Sequence, residues 1–210
     1  MNPARRTRLL VLARGWHLPG ATTGLLAVAL LLALLPALVN LPQFLVPTNV
    51  TAPTVILACL LAALLVLGTA DEPVDLRALA SPLHLAAIRA GRMIVMTVLA
   101  LVVLSLPGEE SLLSISLTLT ALVGEGLLLY RVEPDLAWVL PTLHMAASAT
   151  FGGTADRKVA GWAWIIASDV SAATVTPSAL LFLLGLTVWS RQALTTRSAP
   201  TLIFRRRGPS

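Results

Sequence analysis

The feature that most constrains this chain is its series of long apolar runs. Gly24 to Val39 and Thr51 to Ala70 hold no ionisable side chain other than the thiol of Cys59, and Leu, Ala and Val dominate both. A helix of about 20 such residues spans a hydrocarbon core roughly 30 Å thick. Lipid offers no water to backbone amides, and a helix satisfies them internally. The period-2 alternation of a barrel strand is absent. Composition agrees, with 57% hydrophobic and 12% charged residues, about half the charge of an ordinary soluble domain. A water-soluble fold of this kind would lack polar surface. The sequence predicts an all-α membrane protein.

Six spans are expected, at Leu18–Val39, Thr51–Thr69, Arg92–Leu106, Leu112–Tyr130, Leu136–Phe151 and Ala173–Trp189. The third is short and extends back through Ala86–Ala90. Orientation follows from the Lys and Arg content of the connections. With the N-terminus inside, thirteen of the 15 positive residues fall on the inner face and only Arg157 and Lys158 fall outside. An odd number of spans would strand one arginine-rich end on the outer face. The expectation is a multi-pass plasma-membrane protein with both termini cytoplasmic. Its net charge of +5 sits at span ends, so it reports topology and not a nucleic-acid surface. A cleavable signal peptide is not expected, because the first apolar run follows four arginines and is too long. With 210 residues, the chain has room for one membrane domain and no separate soluble catalytic domain.

Residues 18–191 form the expected transmembrane domain, and three segments are more than simple connections. In residues 1–17, Leu9, Leu12, Ala13 and Trp16 share one helical face with arginines around it. That pattern reads as an amphipathic helix on the inner leaflet or as a basic tail. Residues 71–92 open with Asp71, Glu72 and Asp75 and close with Arg89 and Arg92, which suits a helix dipole, and Ser81-Pro82 breaks the middle. A connector this long implies a partner to touch. In residues 152–172, Gly152-Gly153 ends the fifth span, charge follows, and Trp162 and Trp164 return the chain to apolar character at interfacial depth. This reads as a helix pair re-entering the outer leaflet or as a loop with an extended sixth span. Residues 192–210 are a basic cytoplasmic tail. The outer connection from Asn40 to Val50, holding Pro42 and Pro47, should be extended.

Motifs of catalysis are missing. There is no phosphate-binding loop, no His-Glu-x-x-His and no Gly-x-Ser-x-Gly turn, so no catalytic, cofactor or metal residue is expected and the chain has no ATPase of its own. A single cysteine excludes an internal disulfide, and Cys59 reads as a small core filler. His17 and His84 read as interfacial. Two polar residues lie inside spans. Glu125, between Gly124 and Gly126, stands about 8–9 Å from the inner end of the fourth span. It is either a paired structural carboxylate or a transport group, and its flanking glycines admit close helix approach. His144, near Pro141 in the fifth span, reads as hydrogen-bonded to a neighbour or as a ligand. Gly20-x-x-x-Gly24 fits a small-residue packing motif at a span edge.

The layout resembles the membrane subunit of ABC-2-type (type V) ABC transporters, with the three irregular segments at the places of the connecting helix, the coupling segment and the re-entrant outer helices. More narrowly, it is similar to small actinobacterial six-span permease partners of ABC ATPases. The residues carrying that likeness are Asp75-Leu76-Arg77-Ala78-Leu79-Ala80-Ser81-Pro82-Leu83, Trp162-Ala163-Trp164-Ile165-Ile166 and Leu184-Gly185-Leu186-Thr187-Val188-Trp189-Ser190-Arg191. The resemblance implies a permease subunit that exports a peptide, antibiotic or lipid-like substrate. ATP and Mg would sit on a separate ATPase, which Asp75, Arg77 and Arg89 contact, and a second permease copy or related subunit would complete the pore. The alternative is a non-transporting immunity, assembly or scaffold subunit.

Overall fold

The computed structural model of the chain describes residues 17–43, 49–70, 82–107, 111–154, 158–166 and 171–191. Among these, the fold is six α-helices, a two-stranded ribbon and two 3-10 segments. The proposed amphipathic N-terminal segment (except His17), Asp75, Arg77 and the basic tail lie outside the described residues.

Helix α1 (Leu18–Leu34) starts afresh after His17, whose φ of 54° puts it in the left-handed region, and carries Pro19 in its first turn, where a missing N–H costs nothing. It ends sooner than its hydropathy predicts, at Leu34 and not Val39. Leu35 precedes Pro36, which disfavours the α region, and adopts φ −93°, ψ 154°. The chain then forms β1 (Leu38–Pro42), paired antiparallel with β2 (Asn49–Pro53) in the register Leu38↔Pro53 and Pro42↔Asn49. The expected extended connection is thus a hydrogen-bonded ribbon, and the all-α expectation is corrected to that extent. Where the ribbon closes, the Thr54 amide donates to the Ala37 carbonyl at 2.8 Å and α2 (Thr54–Leu67) begins.

Helix α3 (Pro82–Ser105) opens at a proline and extends back through Ala86–Ala90 as expected. Helix α4 (Leu112–Tyr130) has the expected bounds, and the Ser111 hydroxyl caps it by accepting the Ser114 amide at 3.1 Å. A 3-10 turn (Pro134–Leu136) leads to α5 (Val139–Phe151), and α6 spans Ala172–Ser190. Two stretches, Leu85–Ser105 and Leu112–Tyr130, are long and apolar enough to cross a membrane, while Leu18–Leu34, Thr54–Leu67 and Thr174–Ser190 are apolar but shorter.

Helix α4 is the centre of the bundle. From Ala121 to Leu127 every residue is buried, so this stretch is covered all round. It meets α6 backbone to backbone. A methyl group on Gly124 would sit 2.6 Å from the Phe182 amide nitrogen, and one on Gly185 would sit 3.0 Å from Gly124 Cα. Outward faces are oily, with Leu26, Leu30 and Leu34 on α1, Val95, Val98 and Val102 on α3, and Leu180, Leu183 and Leu184 on α6 all exposed. Faces of this extent require an apolar surrounding.

Contacts between helix ends give the bundle two poles. The ends of α1 and α3 and the starts of α2 and α4 meet in an apolar cleft lined by Leu32, Thr54, Val55, Leu104 and Ile115. At the opposite pole, Arg92 in the first half of α3 reaches Ala70 after α2, and Arg89 reaches Ser190 at the end of α6. Successive helices α1 to α4 therefore alternate in direction.

Candidate functional site

Two clusters of polar side chains interrupt the apolar bundle. One lies inside it, between α4 and α5. Glu125 is 4% exposed, held in place by its neighbours: Gly124 lets α6 pack against one side, and Gly126 seats the Leu67 side chain and the Ala137 carbonyl on another. Its Oε1 stands 2.5 Å from His144 Nδ1. The second oxygen, Oε2, is buried and has no hydrogen-bond partner among the described residues. His144 reaches on through Nε2 to the Trp162 carbonyl oxygen at 3.4 Å, and its ring meets Trp164 edge-on at a centroid distance of 5.8 Å.

Between α5 and α6, the described residues of the segment that brings these tryptophans in hold no α-helix. After α5, Gly153 and Val159 form an antiparallel bridge, the Ala160 amide donates to Gly152 O at 2.7 Å, and Gly161–Ile166 follows as a 3-10 segment broken at Ala163. Residues 155–157 and 167–170 lie outside the described residues. The Thr118 hydroxyl on α4 donates to Ile165 O at 3.1 Å, and Ala163, Ile165 and Ile166 are buried. The segment thus packs back against α4 and α5. Of the two expected interfacial residues, only Trp162 faces outward, at 51% exposed, while Trp164 is partly buried beside His144. Four residues flagged separately by the sequence, Glu125, His144, Trp162 and Trp164, converge on one place.

The expectations for this pair resolve in part. Glu125 is paired with His144, which is thus hydrogen-bonded to a neighbour. Among the described residues, no group of three or more His, Cys, Asp or Glu is placed to hold a metal.

The second cluster lies at the basic pole. Arg92 Nη2 donates to the Ala70 carbonyl at 3.1 Å, and its guanidinium lies 5.6 Å from the centre of the Trp189 ring. Trp189 is 2% exposed and meets Tyr130 edge-on at 6.3 Å. Arg89 Nη1 donates to Ser190 O at 3.4 Å. At 6% exposed, Arg89 is turned into the bundle. The two arginines tie the first half of α3 to Ala70 after α2 and to the end of α6, where Trp189 in turn meets Tyr130 of α4. Cation–π contact and charge-assisted hydrogen bonding are each strengthened by this burial.

The sequence did not point to Gln43. Its side-chain amide donates to Ala149 O at 2.9 Å while its Oε1 accepts the Gly153 amide at 2.7 Å, pinning the ribbon to the end of α5. The one glutamine of an uncharged loop, set between Pro42 and Phe44, was the available signal. Cys59 fills the core as expected, fully buried, with Sγ 3.9 Å from Ile115 O. Of the glycine motif, Gly24 packs on Leu65, whereas Gly20 has nothing within 4 Å.

Compared with protein-family models, curated proteins and solved structures, the chain matches none.

Proposed function

We propose that this chain is a six-span permease subunit of an ABC-2-type transporter, with both termini cytoplasmic and residues 152–172 re-entering the bundle from the outer side. The observation that carries this reading is the brace at the basic pole. The connector 71–81 leaves from Ala70 and returns at Pro82, and Arg92 holds the Ala70 carbonyl while contacting Trp189 of α6. A push on that connector is delivered to α2, α3 and α6 together, as a transporter driven by a separate ATPase requires. Asp75 and Arg77 remain the residues for ATPase contact, with ATP and Mg on that partner. Arg89 serves as an internal brace. The cargo class is a peptide, an antibiotic or a lipid-like molecule, and a second copy or related subunit completes the path.

Purification from native membranes tests this. A permease brings down a companion chain with a phosphate-binding loop, and Arg77→Glu then abolishes the coupling of ATP hydrolysis to transport without lowering the amount of complex. A complex that transports normally with Arg77→Glu refutes the docking role.

One observation favours a second reading, a non-transporting immunity, assembly or scaffold subunit. The α2–α4–α6 core is closed, with Ala62, Ala63, Leu119 and Leu122 wholly inaccessible. Such a subunit would co-purify with an integral membrane partner and no ATPase.

A further inference from the structure

We propose that Glu125 and His144 form a proton-binding site inside the bundle, loaded as an imidazolium–carboxylate pair, and that this proton holds the 161–166 segment in place. The geometry accommodates this loading. Nδ1 of His144 faces a carboxylate oxygen at 2.5 Å and Nε2 faces a backbone carbonyl at 3.4 Å. With Glu125 ionised, both partners are acceptors, so both ring nitrogens must carry hydrogen for both contacts to form. Beside that carboxylate, a neutral imidazole has only one N–H and would set a nitrogen lone pair against an oxygen. The loaded pair has no net charge, which suits its surroundings.

Helices α5 and α6 and the 161–166 segment carry no other ionisable side chain, α2 carries only the Cys59 thiol, and α4 carries only Tyr130, at its end. The 3-10 turn packed beside Gly126 carries Asp135, which is exposed, as are Arg131 and Glu133 before it. The arginines of α3 are engaged at the basic pole. The unpartnered Oε2 of Glu125 is a free acceptor within the pair, where an incoming proton can first bind. Unloading is a simple transfer: the Nε2 proton passes to water or a buffer base, the imidazole becomes neutral, and the pair becomes singly negative. The Trp162 carbonyl then loses its donor. The 161–166 segment keeps its Thr118 hydrogen bond but loses its hydrogen bond to the His144 side chain of α5.

Nuclear magnetic resonance on the full chain in lipid nanodiscs tests both halves. ¹⁵N-histidine labelling, with His17→Gln and His84→Gln, leaves His144 as the single reporter, and 5-fluorotryptophan reports the segment, with Trp164 assigned through Trp164→Phe. At neutral pH the expected result is two protonated ring nitrogens on His144, with one N–H lost in Glu125→Gln. As pH is raised, the Trp164 resonance should shift over the same interval in which His144 discharges. A neutral His144 in the otherwise native chain at neutral pH overturns the site, and this outcome does not depend on whether the Glu125 variant folds. A Trp164 resonance unmoved while His144 discharges overturns the latch.

Discussion

At the scale of single residues, Glu125 is a costly feature of the bundle, a carboxylate that is 4% exposed among apolar helices. Glu125 is tolerated there because His144 balances it. Removing one member of a buried pair strands the other, which costs about 3–5 kcal/mol, whereas replacing both with apolar residues of similar size is close to neutral. His144→Leu is therefore expected to lose about 3 kcal/mol or more in unfolding experiments in mixed micelles. The double variant Glu125→Leu/His144→Leu should recover most of that loss, and strictly additive losses would show that the two side chains do not act as a pair. Glycines give a second contrast. Gly124→Ala forces a methyl group against the α6 backbone and should cost about 1–3 kcal/mol. Gly20→Ala meets open space and should gain up to about 1 kcal/mol from helix propensity. The same micelle titrations measure both.

At the scale of elements, the brace formed by Arg89, Arg92 and Trp189 joins helix ends that are far apart in sequence. Arg92→Ala leaves the buried Ala70 carbonyl without its donor, a loss of about 1–3 kcal/mol. That loss should appear locally, as faster amide hydrogen exchange at residues 67–70 and at the end of α6, with the ribbon at the other pole unchanged. Uniform acceleration over the whole bundle would show that the arginine supports general stability and not this joint. The helices were largely legible because each is a run of apolar residues between local stop signals, and α4 is the clearest case, with Ser111 to cap it. Where hydropathy and backbone preference diverge, hydropathy misleads. Leu38 and Val39 are as apolar as the helix before them, but Pro36 had already ended it. The 3-10 form of 161–166 was not legible either, because it follows from packing on α4 and α5. The Glu125–His144 pair is a similar case. Each residue stood out as polar within a span, but their meeting depends on the packing register of α4 against α5, which no local pattern encodes.

At the scale of the whole molecule, the alternating helices sort the charges by pole. Among the described residues, Arg89, Arg92, Arg131 and Arg191 lie at or beside the pole where α2, α4 and α6 end, while Lys158 lies in the hairpin after α5, beyond the opposite ends of the helices. A bilayer in an energised cell discriminates between these poles, retaining arginine-rich connections on the cytoplasmic side. The native thiol does not interfere, since Cys59 is buried, and Cys59→Ala gives a silent background. Lys158, Arg131 and Arg191 are all exposed, so a cysteine at any of them is open to a reagent on its own side of the membrane. Lys158→Cys should therefore react with a membrane-impermeant maleimide in intact cells. Arg131→Cys and Arg191→Cys should react only after permeabilisation. Labelling of Arg131→Cys from outside would invert the bundle and place residues 71–81 beyond reach of any cytoplasmic ATPase. Labelling of Arg191→Cys alone from outside would mean that α6 does not cross the bilayer. The brace joins Ser190 to α3 at the same pole as Arg131, so the geometry requires these two positions to behave alike.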